Sequence, residues 1–252
     1  MKEILGEAMH KKHHEVHLEA TGEIKDSVVV IFRTYFSIRH IQSALLFAEE
    51  AGKIEVSGEG DTSAIHQANV IASIFATVAF LEANINEIFT DSYDTMRGKS
   101  ANDGKNIPES LINQLGSMWQ LDVPKTAKYS ILQKYQIALV TINKPLYDKG
   151  TNPYQDVDLL VKLRNALMHP EPESVVSQTS DDDTLTTEQK FFKMLGSKFA
   201  LNPLTGKGNS FYPDKCLSYG CCKWGIESSF AFTDEFCART DIKCKYLGLP
   251  PS

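Results

Sequence analysis

"AIHQANVIASIFATVAFLEANINEIFTDSYD", residues 64–94, is the stretch that decides the fold. Its large apolar side chains spread around most of the circumference of a helix instead of forming one stripe. They are Ile71, Phe75, Val78, Phe80, Leu81, Ile85, Ile88 and Phe89. A helix that is apolar nearly all round is covered by its neighbours, so this segment is predicted to lie at the centre of a bundle.

The uncharged part of this stretch is shorter than a membrane span. It covers residues 67–81 and includes Asn69, Ser73 and Thr77, whereas a helix needs roughly 20 apolar residues to cross a bilayer. The residues that follow Met1 are too polar for a secretion signal. A soluble, cytoplasmic protein without a membrane partner is therefore expected.

Segments on both sides of the central stretch predict further helices, because their apolar residues recur at spacings of three and four. These helices are expected to start at Ser37, Pro108 and Asp156 and to cover residues 126–143 and 216–240. The sequence therefore predicts an all-α bundle of five to seven helices with little or no sheet.

The domain organisation follows from polarity along the chain. Residues 1–36 are predicted to be an N-terminal arm, and residues 37–252 a single helical domain. The β-branched and aromatic stretch "SVVVIFRTYFSI" (27–38) also allows a short strand. The polar, acidic segment at about 170–186 is predicted to be an exposed loop.

The net charge of −6 excludes a general electrostatic attraction to nucleic acid but allows a local basic site.

Two clusters contain residue types that bind metals. "HKKHHEVH" puts four histidines at helical spacings (His10, His13, His14, His17), which suits either a metal or a solvated helix face. The five cysteines lie near the end of the chain without a C-x2-C pair (Cys216, Cys221, Cys222, Cys237, Cys244). Reduced, buried thiols are expected there in preference to a zinc site.

Polar residues interrupt the central helix at Glu82, Asn86 and Glu87. Glu82 and Asn86 are one turn apart and share a face. A carboxylate in a central helix must pair, or else face water or a pocket. Either the helix reaches the surface here, or the polar face points into a functional site.

A second stretch, "LLVKLRNALMHPEPE" (159–173), places a charge inside an apolar pattern. Arg164 falls in the stripe formed by Val157, Leu160, Val161, Leu167 and Met168. A half-buried guanidinium needs a partner, such as a carboxylate, a carbonyl or a bound phosphate.

His169 precedes Pro170, and a residue before proline is pushed out of the α region. We therefore expect His169 to end the helix in an extended conformation, with its ring on the side to which Arg164 projects. A helix C-terminus favours imidazolium and a nearby arginine disfavours it, a balance that suits general acid or base catalysis.

"RNALMHP" after an apolar helix resembles the signature of the HEPN superfamily (higher eukaryotes and prokaryotes nucleotide-binding). That signature is Arg, a polar residue that is often Asn, three to five further residues, and then His. "AFLEANINEIF" resembles an upstream helix of bacterial members, and "KWGIESSFAFTDEFCAR" is similar to the closing helix of some of them. The resemblance covers about residues 37–240.

The resemblance implies an endoribonuclease that needs neither metal nor cofactor and cleaves RNA at a site shared by two subunits. Arg164 would stabilise charge on the phosphorane, His169 would transfer protons, and Asn165 would hold His169 or the phosphate. Glu82 or Asn86 would position Arg164. An antitoxin or regulatory protein is an implied further partner.

One position departs from the family pattern. Toxin members that are silenced by adenylylation often have a tyrosine two residues after the histidine, where this chain has Glu171. Silencing at that position is therefore not expected. The alternative function is a HEPN-fold module that binds a nucleotide or a protein without catalysis.

Overall fold

Helices form all the regular structure in the part of the chain that the computed structural model describes, residues 34–58, 63–99, 106–125, 129–169, 186–244 and 246. These residues contain no strand. The α-helices are α1 (Phe36–Ser57), α2 (Ser63–Met96), α3 (Glu109–Gln120), α4 (Ile131–Thr141), α5 (Tyr154–Met168), α6 (Thr187–Leu195) and α7 (Tyr219–Thr240), and a π-helical turn (Phe211–Lys215) precedes α7. The predicted all-α bundle is confirmed.

The central helix of the bundle is α2. Of the eight large apolar residues on which its prediction rests, six are buried and two, Ile71 and Phe75, are half-buried. They pack against α1, α3, α4, α5 and α7. Ala64–Met96 is long and apolar enough to cross a membrane by length and composition. The same composition is what a helix covered by five others requires.

Both ends of α1 are bonded to other helices. At its start, the Glu87 carboxylate of α2 accepts hydrogen bonds from the backbone N–H (2.9 Å) and the hydroxyl (2.6 Å) of Ser37. The Glu87 carboxylate therefore caps α1 from outside, because the side chain of the N-cap residue makes no capping hydrogen bond. Near the other end, Glu55 lies 2.9 Å from Nε2 of the buried His66 in α2. The same carboxylate accepts a hydrogen bond from the backbone N–H of Tyr219 in α7 (2.6 Å).

An aromatic cluster joins α4, α5 and α7. The Phe232 ring of α7 is fully buried, and its centroid lies 4.9 Å from that of Tyr135 in α4. It lies 4.5 Å from the Tyr147 centroid and 6.3 Å from that of Tyr154 in α5. The Tyr135 hydroxyl donates a hydrogen bond to the Leu81 carbonyl of α2 at 2.9 Å, so this buried polar group is satisfied.

The structure differs from the sequence prediction in two places, after the N-terminal arm and after the predicted exposed loop. The predicted strand is wrong from Phe36 onward, because those residues begin α1. Helix α6 is absent from the sequence prediction and begins directly after the segment predicted to be an exposed loop. A capping box starts it: the Thr186 hydroxyl accepts from the Gln189 N–H, and the Gln189 side chain accepts from the Thr186 N–H. Residues 1–33 of the arm and 170–185 of the loop lie outside the described residues.

The cysteines also differ from expectation. Cys237 and Cys244 form a disulfide bond, so the expectation of reduced thiols is wrong for this pair. The other three cysteines are free and buried as expected. Burial raises the pKa of Cys216 and of Cys222 to about 12, and raises the pKa of Cys221 well above its ordinary value. These thiols are therefore protonated at neutral pH.

Stability is expected to fall at alkaline pH because the folded chain keeps thiol protons that the unfolded chain releases. The ordinary pKa is 9.0, and in the fold the pKa of Cys216 and Cys222 is about 12. Stability is thus intact below pH 9 and is lost as pH rises toward 12, by about 1 kcal/mol per pH unit for each thiol. Burial of Tyr135, which raises its pKa, adds to the loss.

Urea unfolding across this pH range measures the effect. A Cys216→Ala variant should lose stability less steeply with pH than the wild type, because one of the titrating thiols is gone. An unfolding free energy that does not change above pH 9 would contradict the assignment.

Candidate active site

Helix α5 carries the Arg-Asn-x3-His motif at its C-terminal end. Its buried face packs against α2 and α7 and consists of Tyr154, Val157, Leu159, Leu160 and Leu163. The helix meets α7 at Gly225, where an added Cβ would lie 3.0 Å from Cδ1 of Leu160. A larger residue at Gly225 would displace Leu160, so this close contact fixes how α5 lies in the bundle.

Arg164 is half-buried, one turn after Leu160. Its Nε is buried and has no hydrogen-bond partner in the part of the chain that the structure describes. Its Nη1 lies 3.9 Å from Sδ of Met168. A thioether is a weak acceptor, whereas a guanidinium has five N–H donors arranged for carboxylate or phosphate. Nη1, with this weak and exposed contact, is therefore the end of the guanidinium that can bind an anion from solvent.

The predicted apolar stripe of α5 is only partly correct. Val157 and Leu160 are buried, whereas Val161 and Leu167 are half-buried. Met168 is exposed, because α5 ends there and leaves the core. The motif thus lies where the helix passes from the interior to the surface, with the arginine at the boundary.

His169 leaves the helix as Pro170 predicts. It is the C-cap of α5, with φ −126° and ψ 64°, and its backbone N–H donates to the Asn165 carbonyl at 2.9 Å. The ψ value is smaller than that of a fully extended residue. The side chains of His169 and Asn165 are exposed. The imidazole is thus accessible to solvent and close in sequence to a guanidinium with unused donors.

The expected contact of Glu82 and Asn86 with Arg164 is wrong. Both side chains face α4, where the Lys134 ammonium lies 2.9 Å from Oε1 of Glu82 and 3.2 Å from Oδ1 of Asn86. Lys134 is 3% exposed, so these oxygens satisfy a buried charge that would otherwise be costly. The polar face of α2 is therefore structural and does not belong to the motif.

Lys134 is absent from the sequence prediction, although its position in the sequence contains a signal. It stands in the apolar run "ILQKYQIALV" of α4 between two buried residues, Leu132 and Tyr135. An ammonium in the core-facing part of a helix requires a carboxylate on a neighbouring element. Glu82 is the carboxylate that meets this need.

Removing the charge of Glu82 is expected to destabilise the fold, because the Lys134 ammonium then stays buried without its anion. Glu82→Gln should lower the free energy of unfolding by about 1–3 kcal/mol. Adding Lys134→Met should restore most of the loss, since the buried charge is then gone. Urea unfolding of the single and double variants measures both effects.

The matched control is Glu50→Gln, which removes a carboxylate from the exposed ion pair with Lys53. This change should alter the free energy of unfolding by less than about 1 kcal/mol. An equal loss for Glu50→Gln and Glu82→Gln would contradict the role assigned to the buried pair.

Two further features lie apart from the motif. No group of three or more His, Cys, Asp or Glu side chains is placed to hold a metal ion within the described residues, and the four N-terminal histidines lie outside them.

A groove of about 490 Å³ lies between α3, α4 and the start of α5, and no motif residue lines it. Its apolar wall is formed by Met118, Val123, Ile137, Val140 and Leu146.

The chain matches no family model, no curated protein and no solved structure.

Proposed function

We propose that this protein is a HEPN-type endoribonuclease that cleaves RNA without a metal ion, with Arg164, Asn165 and His169 as its site residues. The observation that carries the proposal is the state of Arg164: a half-buried guanidinium with a buried Nε lacking a partner among the described residues. A charged group at the surface boundary with unused donors is what recognition of a phosphate requires.

The proposed reaction is a transesterification within RNA. The 2′-hydroxyl loses its proton to a general base and attacks the adjacent phosphorus, and the bond from phosphorus to the 5′-oxygen breaks. A general acid protonates that oxygen, so the products end in a 2′,3′-cyclic phosphate and a 5′-hydroxyl. Arg164 would stabilise the negative charge of the phosphorane, which is greatest in the transition state.

His169 is proposed for the proton transfers because its imidazole is exposed and has two ring nitrogens, of which one donates and the other accepts a hydrogen bond in the neutral ring. One imidazole cannot act on both faces of the phosphorus, so the proposal includes a homodimer. The His169 of one subunit would act as base and that of its partner as acid. Asn165, one residue from Arg164, would hold the phosphate or the imidazole through its exposed amide.

The proposed setting is the cytoplasm, where RNA is available. An antitoxin or a regulatory protein is a proposed partner, because a free ribonuclease needs control. Glu171 occupies the position at which related toxins are adenylylated, so the control is proposed to act by another route.

The second candidate is a HEPN-fold module that binds a nucleotide or a protein without catalysis. The net charge of −6 favours it, because such a surface repels a long RNA outside a local basic site. The two candidates make the same use of Arg164 but differ at His169, which only the enzyme needs for turnover.

The deciding experiment is an RNA cleavage assay with the purified protein in excess EDTA. The proposal expects cleavage to continue and the products to carry 2′,3′-cyclic phosphate ends. Binding of RNA without cleavage would favour the second candidate. Cleavage that requires a divalent metal would refute the proposed mechanism.

A further inference from the structure

Met168 differs from the other methionines of the described residues in its exposure. It is 45% exposed, whereas Met96, Met118 and Met194 are half-buried. Oxidation of methionine by peroxide requires access to the sulfur. Met168 is therefore the methionine of this group that an oxidant reaches most easily.

The position of the Met168 sulfur connects this exposure to the proposed site. Its Sδ lies 3.9 Å from Nη1 of Arg164, one helical turn earlier on the same face of α5. The thioether is a weak acceptor, so the guanidinium is held only loosely. Any change that makes this sulfur a stronger acceptor acts directly on Arg164.

The free thiols do not compete for the oxidant. Cys216, Cys221 and Cys222 are buried, and burial raises their pKa, so the reactive thiolate is scarce at neutral pH. Among the sulfur-containing side chains of the described residues, peroxide is thus expected to react first with the thioether of Met168.

We propose that Met168 is an oxidation site, and that its sulfoxide binds the Arg164 guanidinium and withdraws it from phosphate. In the reaction, a sulfur lone pair attacks one oxygen of hydrogen peroxide and the O–O bond breaks. An S–O bond forms, the sulfur loses two electrons, and the peroxide is reduced to water. The oxidation and the new contact stand on their own, whereas the loss of phosphate binding rests on the proposed function.

The sulfoxide oxygen is a strong, partly negative acceptor, unlike the thioether it replaces. A hydrogen bond from a charged donor to such an oxygen is short, at about 2.7–2.9 Å. The oxygen projects from a sulfur that is already beside Nη1, so the bond forms without movement of α5. Reduction by a methionine sulfoxide reductase returns the thioether, which makes the change reversible.

The test measures oxidation and arginine availability separately. The folded protein is treated with hydrogen peroxide, and peptide mass spectrometry follows oxidation of each methionine. Met168 should be oxidised several times faster than the half-buried Met118 and Met194. Labelling of Arg164 by phenylglyoxal, an arginine reagent, should then slow about fivefold or more, as expected for a new bond to a charged donor. Labelling of the exposed Arg39 of α1 should not change.

Two variants of Met168 complete the design. Met168→Leu cannot gain an oxygen, so peroxide should leave its Arg164 labelling unchanged relative to its own untreated sample. Met168→Gln carries a carbonyl oxygen at a similar place and should show slow labelling without peroxide. Equal oxidation of Met168 and Met118, or unchanged Arg164 labelling after complete oxidation, overturns the proposal.

RNA cleavage by the same samples separates this inference from the proposed function. If untreated protein does not cleave RNA, the proposed ribonuclease fails, and the labelling results still decide the sulfoxide contact. If untreated protein cleaves RNA and the fully oxidised protein cleaves it at the same rate, the regulatory role of Met168 is refuted while the enzyme stands.

Discussion

Arg164→Ala is expected to slow RNA cleavage by about 10²-fold or more, because it removes the group that stabilises charge on the phosphorane. The loss should appear mainly in kcat, since the charge is greatest in the transition state. Arg164→Lys should restore little, because an ammonium lacks the planar fork that binds two phosphate oxygens. Single-turnover cleavage of a labelled RNA in EDTA measures these rates.

His169→Ala should cause a loss of about 10²- to 10⁴-fold, the usual contribution of general acid–base catalysis. Folding is checked by circular dichroism, and little change is expected because the His169 side chain is exposed.

The matched control is Lys162→Ala, which removes an exposed cation from α5 two residues before the half-buried Arg164. The Lys162 ammonium lies 2.7 Å from the Asp158 carboxylate, so it already has an anionic partner. This variant should cleave RNA within a few-fold of the wild type. A loss as large as that of Arg164→Ala would mean that general positive charge on α5, and not the motif, drives the activity.

Phe232→Ala is expected to destabilise the protein by about 3–5 kcal/mol, the range found when a fully buried aromatic ring is removed from a core. The Phe232 ring contacts the Tyr135 ring of α4 (centroids 4.9 Å apart) and the Tyr147 ring in the loop between α4 and α5 (4.5 Å). Removal of the Phe232 ring leaves a cavity that the Tyr135 and Tyr147 rings do not fill. Urea unfolding followed by fluorescence gives the change in free energy.

Phe192→Ala on α6 is the control for this change, because it removes the same side chain from a position that is 62% exposed. It should cost less than about 1 kcal/mol. If the two substitutions were equally damaging, the cluster around Phe232 would not be the part of the core that holds α4 and α7 together.

The sequence predicts the fold best where the apolar pattern of a single helix is sufficient. The apolar residues around the circumference of 64–94 are recognisable without any knowledge of other segments, and α2 has the central position that they predict. The start of α6 was also visible in principle, because the capping box at Thr186 and Gln189 is local. Helix α6 is absent from the prediction because this signal directly follows a polar, acidic segment.

Interactions between distant residues could not be read in the same way. Glu82 and Lys134 are 52 positions apart, and Ser37 and Glu87 are 50 apart. Periodicity shows that each polar residue needs a partner but not which one it finds, because the partner depends on how the helices pack. For the same reason the sequence does not show that the partner of Glu82 is Lys134 of α4 and not Arg164.

The two carboxylates at the ends of α1 have a consequence for how the bundle opens. Isolated helices fray from their termini, where the last backbone groups lack partners. In α1 the first turn is bonded to Glu87, and Glu55 near the last turn joins it to His66 and to the backbone of α7. Fraying at either end must therefore break an inter-helix bond, so we expect the amide protons of α1 to exchange cooperatively with those of α2 and not by independent local opening.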